Sequence, residues 1–171
     1  MEIEVNYATG QKPPQLPPGD RFQGHLLRQL VETSQRAATA VNQSEVRDVH
    51  LLCALVEHAD PATRGLLDRC GLKLDVLQAE LAKAARDDAI LIDRPVVSAE
   101  ACNSLQAAIS EAEEQGLSAA GTQHVLLAIL GSVTITEMLH RLHVAVERLK
   151  AEMRTRVVPR LKKTEKTDQE A

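Results

Sequence analysis

Two histidines in similar settings are the first candidates for chemistry in this chain. His50 lies in the segment DVHLLCALV at 48–56, and His124 lies in TQHVLLAIL at 122–130. Cys53 follows His50 by three positions, so a helix would place the imidazole and the thiol on one face. A His and a Cys at this spacing could bind zinc, or could act as base and nucleophile.

The second segment argues against both kinds of chemistry. Leu127 follows His124 at the position where Cys53 follows His50. This comparison favours Cys53 as a small apolar core residue and both histidines as buried hydrogen-bonding residues near helix starts. We therefore expect no catalytic residue, no metal and no cofactor. A small metal sensor or enzyme that uses His50 and Cys53 remains the alternative from a different class.

Composition excludes several other functions. None of the eight glycines precedes a lysine, so the chain has no Gly-x-x-x-x-Gly-Lys-Ser/Thr phosphate loop and cannot be an ATPase motor. A net charge of −4 and an aromatic content of 1% disfavour nucleic-acid binding. No apolar run reaches the length of a membrane span, and there is no signal-peptide pattern at the amino terminus. We expect a cytoplasmic protein that binds neither nucleic acid nor membrane.

The two segments belong to a duplication, because the histidines lie 74 residues apart and the similarity continues beyond them. Apolar residues at helical spacing predict four helices in each half. The fold class is therefore all-α, with two pseudo-twofold-related four-helix repeats that form one eight-helix globule. The predicted domain spans residues 21–158. It contains repeat one at about 21–87, a connector at 88–97 and repeat two at about 98–158.

The remaining segments flank this domain. Residues 1–20 are a proline-rich extended arm, which is either a disordered leader or a strand that docks on a partner, and residues 159–171 are a charged tail or linker. In the connector, Ala89 to Ile92 form an apolar strip that either packs on the globule or binds a substrate. In the tail, Lys162, Lys163 and Lys166 fit a soluble linker better than a site for an acidic partner.

Local signals predict where the helices begin and end. Asp48, Ser98 and Thr122 are predicted N-caps, and Gly71 and Gly116 lie where helices should stop. The residues that should form the core shared by the two repeats are His50, Leu51, Leu52, Leu55, His124, Val125, Leu126, Ile129, Leu67, Leu77, Leu139 and Leu149.

Duplicated four-helix units, each with a Thr-x-His-Leu-Leu-like signature opening its second helix, resemble the amino-terminal domain of Clp-type AAA+ unfoldases and disaggregases. The resemblance covers roughly residues 22–158. It implies a non-catalytic protein-binding module that receives unfolded polypeptides or adaptor proteins for a Clp-type ATPase, attached either in cis or in trans. A stand-alone regulator or adaptor of a Clp machine, and the type VI secretion branch that recycles sheaths, are alternatives within this resemblance.

Two positions depart from the family pattern. Members of the family commonly have Glu before each histidine, and in some relatives that Glu helps to hold phosphoarginine. Val49 and Gln123 occupy these positions here, so neither side chain can form a charged fork with a guanidinium. A groove between the repeats, walled by the starts of the second helices, is the expected peptide site. Its candidate residues are Asp48, Val49, Thr122 and Gln123. Glu111 and Glu114 are further candidates for contact with a basic adaptor. These two glutamates also fit a solvated helix face.

Overall fold

Eight α-helices contain most of the residues described by the computed structural model, which are residues 15–83 and 94–157. The first repeat has a short 3-10 helix at Gly19–Arg21, followed by α1 (Leu26–Ala40), β1 (Glu45–Val46), α2 (Asp48–His58), α3 (Pro61–Arg69) and α4 (Leu74–Lys83). The second repeat has β2 (Val96–Val97), α5 (Ala99–Glu114), α6 (Thr122–Leu130), α7 (Val133–Arg141) and α8 (Val146–Val157). The predicted all-α fold of two four-helix repeats is confirmed.

Several sequence predictions concern residues outside the described ranges. These are the first part of the amino-terminal arm (1–14), the apolar strip Ala89 to Ile92, the three lysines of the tail (Lys162, Lys163 and Lys166) and the tail itself. The domain boundaries proposed from the sequence also stay predictions.

The repeats end their helices in the same way. Asn42 and Gly116 follow α1 and α5 with φ angles of 54° and 74°, and Gly71 and His143 follow α3 and α7 with φ angles of 86° and 58°. At each of these four sites the next amide bonds back to a carbonyl five residues earlier, at 2.9 to 3.0 Å, which is the Schellman pattern. Gly71 and Gly116 thus occupy the left-handed positions that their residue type predicts.

The two repeats are joined by crossed backbone pairing. β1 precedes α2 in repeat one, and it pairs in parallel with β2, which precedes α5 in repeat two. Phe22, before α1, pairs in parallel with Ala120, before α6. The chain segment before the first helix of each repeat therefore pairs with the segment before the second helix of the other. This crossing gives the globule its pseudo-twofold symmetry.

The core forms around α2 and α6, which contact each other. Every residue from His50 to Val56 is at most 4% exposed. All the residues that the sequence predicts for the shared core are buried: His50, Leu51, Leu52, Leu55, His124, Val125, Leu126, Ile129, Leu67, Leu77, Leu139 and Leu149. Because α2 and α6 are covered on nearly all sides, neither repeat alone could bury its central helix from solvent.

Phe22 lies in the strand-like pairing before α1, and β2 forms at the end of the predicted connector. Two local predictions, the N-caps of α2 and α6, need correction. Arg47 and Gly121 are the N-caps of α2 and α6, so the prediction that Asp48 and Thr122 cap these helices is wrong by one residue. The histidine of each signature supplies the reason, as described below. Ser98, by contrast, is confirmed as the N-cap of α5, where its hydroxyl accepts the Ala101 amide at 3.2 Å.

The described helices were also compared with the requirements of a membrane span. No single helix in residues 15–83 and 94–157 has the length and hydropathy to cross a membrane. α6 and α7 reach that length and composition only as a pair, and the pair is bent by 85°.

Candidate functional site

The two signature histidines close the first turn of α2 and α6. Nδ1 of His50 accepts the backbone N–H of Arg47 at 2.9 Å, and Nδ1 of His124 accepts the N–H of Gly121 at 3.0 Å. In each case the residue at the third helical position satisfies the N-cap amide, as Glu or Gln does in a capping box. The histidine supplies the half of a capping box that comes from the third helical position, and neither N-cap side chain accepts an amide of the first turn.

This geometry determines the protonation state of both rings. An Nδ1 that accepts a hydrogen bond carries no proton, so each imidazole is neutral with its proton on Nε2. Burial lowers the pKa of His50 to about 4 and also lowers the pKa of His124. Nε2 of His124 can donate to Oε1 of Gln115 at 3.2 Å, whereas Nε2 of His50 has no partner among the described residues.

Asp48, at the start of α2, lies inside the junction between the repeats. Its side chain is 1% exposed, and neither carboxylate oxygen has a hydrogen-bond partner of normal geometry in the described part of the chain. Burial raises the pKa of Asp48 to about 6; the nearby Ser104 hydroxyl opposes this rise, and the charge of Glu100 adds to it. The carboxyl group is too deeply buried to contact a ligand on the surface, which argues against Asp48 as a direct peptide contact.

Val49, Thr122 and Gln123 are the signature residues that reach the surface. Each is half-buried in the first turn of α2 or α6. At the junction beside α2, Val96 of β2 is 64% exposed, although its backbone is paired with β1. At the junction beside α6, the side chain of Gln23 lies so close to Gly121 that an added Cβ would meet its Oε1 at 3.0 Å. The two junctions thus differ: one presents valines and the other glutamines.

Glu111 of α5 lies close enough to His124, in the first turn of α6, for its charge to act on that ring. Glu111 borders a groove of about 420 Å³ between α5, α6 and α8, where its carboxylate accepts Nε2 of Gln115 at 2.9 Å. Lys150 and Arg154 of α8 form the opposite wall. Glu114 is exposed at the end of α5. Glu111 thus lies beside the α6 signature, Asp48 is buried and Glu114 is exposed, and the protein-binding role of the six residues stays a prediction.

The cysteines lie in settings that do not favour thiolate chemistry. Cys53, Cys70 and Cys102 are buried and free, and burial raises the pKa of all three thiols, that of Cys53 to about 12. A thiol that stays protonated is neither a nucleophile nor a metal ligand. Among the described residues, no group of three or more His, Cys, Asp or Glu side chains could hold a metal ion.

Sequence reasoning missed the crossed pairing and the burial of Asp48. The two-residue strands are too short to show an alternating pattern, so no sequence signal could have predicted them. The sequence places Asp48 at the start of α2, but its burial depends on α5 of the other repeat, where Ser104 and Glu100 lie near its carboxyl group.

Comparisons with solved structures agree with this architecture. The amino-terminal domain of the chaperone ClpD from Arabidopsis thaliana matches with 20% identity and a TM-score of 0.67, covering 82% of this chain and 99% of that one. This chain has the Clp amino-terminal domain fold. The Clp amino-terminal fold is also seen in the Hsp104 amino-terminal domain from Candida albicans, at 15% identity and a TM-score of 0.59, covering 78% of this chain and 89% of that one.

A third structure with the Clp amino-terminal fold is the N-domain of ClpV from Vibrio cholerae, at 16% identity and a TM-score of 0.60. It covers 88% of this chain and 95% of that one. No family model matches the sequence, and no curated protein matches it. The family resemblance of the two signatures is thus supported by the fold.

Proposed function

We propose that this chain is a non-catalytic protein-binding module that receives unfolded polypeptides or adaptor proteins for a Clp-type AAA+ ATPase in protein quality control. The observation that carries the proposal is an exposed apolar side chain where the repeats meet. Val96 is 64% exposed in β2, and Val49 is half-buried in the first turn of the helix that follows the paired strand β1. Exposed apolar side chains beside a strand edge suit an extended or helical polypeptide segment.

Several features of the described residues support a binding role over an enzymatic one. Nδ1 of each signature histidine accepts the N-cap amide of its helix, and burial keeps the Cys53 thiol protonated. The Clp amino-terminal fold agrees with a module that acts for a separate ATPase, in cis or in trans. With client proteins and adaptors as partners, a cytoplasmic location is part of the same proposal.

A second candidate within this class is the type VI secretion role, in which the module would recognise sheath proteins for recycling. The observation that favours it is the alignment with the ClpV N-domain, which covers 88% of this chain. The two candidates differ in their clients and share the binding surface. Binding measured against folded sheath subunits and against unfolded proteins would separate them.

The proposal is tested by titrating the purified chain with a labelled, permanently unfolded protein and with its folded counterpart. We expect weak binding of the unfolded form only. Val49→Ser together with Val96→Ser should weaken it several-fold, because the apolar contact is lost. Val133→Ser is the matched control, since Val133 is 71% exposed on α7, away from the junction. If no unfolded protein, sheath protein or adaptor binds, the proposed function is wrong.

A further inference from the structure

A cationic groove lies beside the junction of the two repeats and takes no part in the contacts described so far. Its volume is about 790 Å³, and it lies between α1 and the residues that lead into β2. We call it the arginine groove. It is lined by Glu32, Gln35, Arg36 and Thr39 of α1 together with Arg94 and Pro95.

Among the described residues that line the arginine groove, two arginines face one carboxylate, in a chain whose net charge is −4. Glu32 is the one carboxylate in its lining, and Arg28 already pairs with it at 2.9 Å. Arg36 and Arg94 also lie close enough to lower the pKa of Glu32, after the larger effect of Arg28. Within the described residues, neither Arg36 nor Arg94 forms an ion pair with a carboxylate. Two guanidinium groups therefore face the groove with most of their donors available.

The wall of the arginine groove is held in place by the fold. Nε2 of Gln35 donates to the carbonyl oxygen of Pro95 at 3.0 Å, which joins α1 to the segment before β2. One nitrogen of Arg36 donates to the buried Thr33 hydroxyl at 3.0 Å. These bonds position Arg36 and the backbone beside Arg94, so a ligand would meet a partly preorganised pair of cations.

The pseudo-twofold symmetry supplies an internal comparison. The equivalent place in the other repeat is a groove of about 330 Å³ between α5 and the 3-10 helix. The two repeats are related by an offset of 74 residues. By this offset Asp20 corresponds to Arg94, and Glu113 corresponds to Thr39. Arg21 pairs with Glu113 in that second groove. The related surface is thus acidic and carries its own ion pair, whereas no ion pair of Arg36 or Arg94 occurs among the described residues.

We propose that the arginine groove binds acidic segments of the polypeptides that this module receives, with Arg36 and Arg94 pairing with their carboxylates. This inference rests on the proposed function and names the chemistry of the preferred client. Guanidinium groups match carboxylates in two-point geometry. The exposed Val96 follows directly after Pro95, so the fitting segment carries an apolar residue next to its acidic ones.

A polypeptide fits this groove better than a nucleic acid does. The overall charge of −4 would repel a phosphate backbone beyond the groove itself. The described residues also offer no aromatic ring at the groove on which a base could stack. A segment with a few carboxylates needs only the local pair of cations.

The test uses the whole chain and a short labelled peptide with two Glu residues flanking a Leu-Val pair. The same peptide with both Glu replaced by Gln is the neutral probe, and labelled single-stranded DNA is a third probe. Arg36→Gln with Arg94→Gln removes the two cations. Arg69→Gln with Arg148→Gln is the matched control, because it removes the same charge from exposed residues outside the groove.

We expect the acidic peptide to bind about tenfold more tightly than the neutral one at low salt, and to lose that preference in the groove variant but not in the control. Arg94→Asp, which copies the residue of the related groove, should reduce binding further. Equal binding of both peptides, or full acidic binding by the groove variant, would overturn the inference. If unfolded proteins still bind in that case, the proposed function stands. Tighter, groove-dependent binding of DNA would also overturn the inference.

Discussion

Asp48 offers the sharpest quantitative test of the structure. Its carboxyl group is 1% exposed between the repeats, and burial raises its pKa from 3.8 to about 6. The fold therefore holds the proton on Asp48 more tightly than the unfolded chain does. The stabilising contribution of the protonated form is complete below pH 3.8 and is lost as the pH rises through about 6. At neutral pH the buried charge destabilises the protein.

The magnitude follows from the two pKa values. A shift of one pKa unit corresponds to about 1.4 kcal/mol, so ionised Asp48 costs about 3 kcal/mol at pH 7 and only about 0.5 kcal/mol at pH 4. Asp48→Asn keeps the shape of the protonated acid and removes the charge. The variant should match the wild type in acid and exceed it by about 3 kcal/mol at neutral pH.

His50 has the opposite pH dependence in the same range. Its pKa falls from 6.5 to about 4 in the fold, so the stability that it contributes is present at neutral pH and is lost as the pH drops from 6.5 towards 4. In the wild type, Asp48 makes the unfolding free energy fall with rising pH and His50 makes it rise, so the two effects offset each other. Removing the Asp48 charge should therefore expose a steeper rise of stability with pH.

Urea unfolding of the wild type and of Asp48→Asn at several pH values measures this difference. Asp60→Asn is the control, because its expected effect on stability at neutral pH is opposite to that of Asp48→Asn. The Asp60 carboxylate caps α3 by accepting the Ala62 and Thr63 amides, and these bonds lower its pKa, so this change should destabilise at neutral pH. A difference between Asp48→Asn and the wild type that does not depend on pH, or a loss of stability at pH 7, would refute the account of Asp48.

Four further substitutions test the architecture. His50→Ala should cost about 3 kcal/mol of unfolding free energy and His124→Ala somewhat less, because each leaves a cavity and an N-cap amide without its acceptor; chemical denaturation would show a smaller or absent loss if the rings do not cap α2 and α6. Gly71→Ala should cost about 1 kcal/mol or more, since its φ is 86° and the added Cβ would lie 3.5 Å from the His143 carbonyl oxygen. Gly65→Ala, inside α3 with its nearest atom at 3.8 Å, should instead stabilise by about 0.5 to 1 kcal/mol, so thermal melts that move both glycine variants in the same direction would contradict the assigned backbone.

Much of the fold is readable from local sequence features. The signature repeat, the apolar spacing and the glycines at helix ends are short-range patterns, and they predict the helices and their pairing into repeats correctly. The assignment of the N-caps failed by one residue because a histidine at the third helical position is not a familiar capping residue. Its capping role becomes visible only through the bonds from Nδ1 to Arg47 and Gly121.

The binding surface was predicted less completely. The sequence marks Val49 and Gln123 as departures from a family pattern, but it cannot show that Asp48 beside them is buried or that Val96 is exposed. Burial at the junction depends on which segments of the two repeats cross. These segments are separated by about fifty to a hundred residues, so no local pattern encodes their contact.

The sequence by itself determined that the chain is a duplicated all-α domain without a phosphate loop, because repeat period, helical spacing and the absence of a motif are properties of the chain alone. Only the tertiary structure decided how the duplication is used. The crossed pairing buries one carboxylate, and it places Arg94, before β2, beside Arg36 of repeat one, while the equivalent groove is acidic and contains the Arg21–Glu113 ion pair. The physical reason is that charge and hydropathy belong to single residues, whereas burial and charge balance belong to the contacts between them.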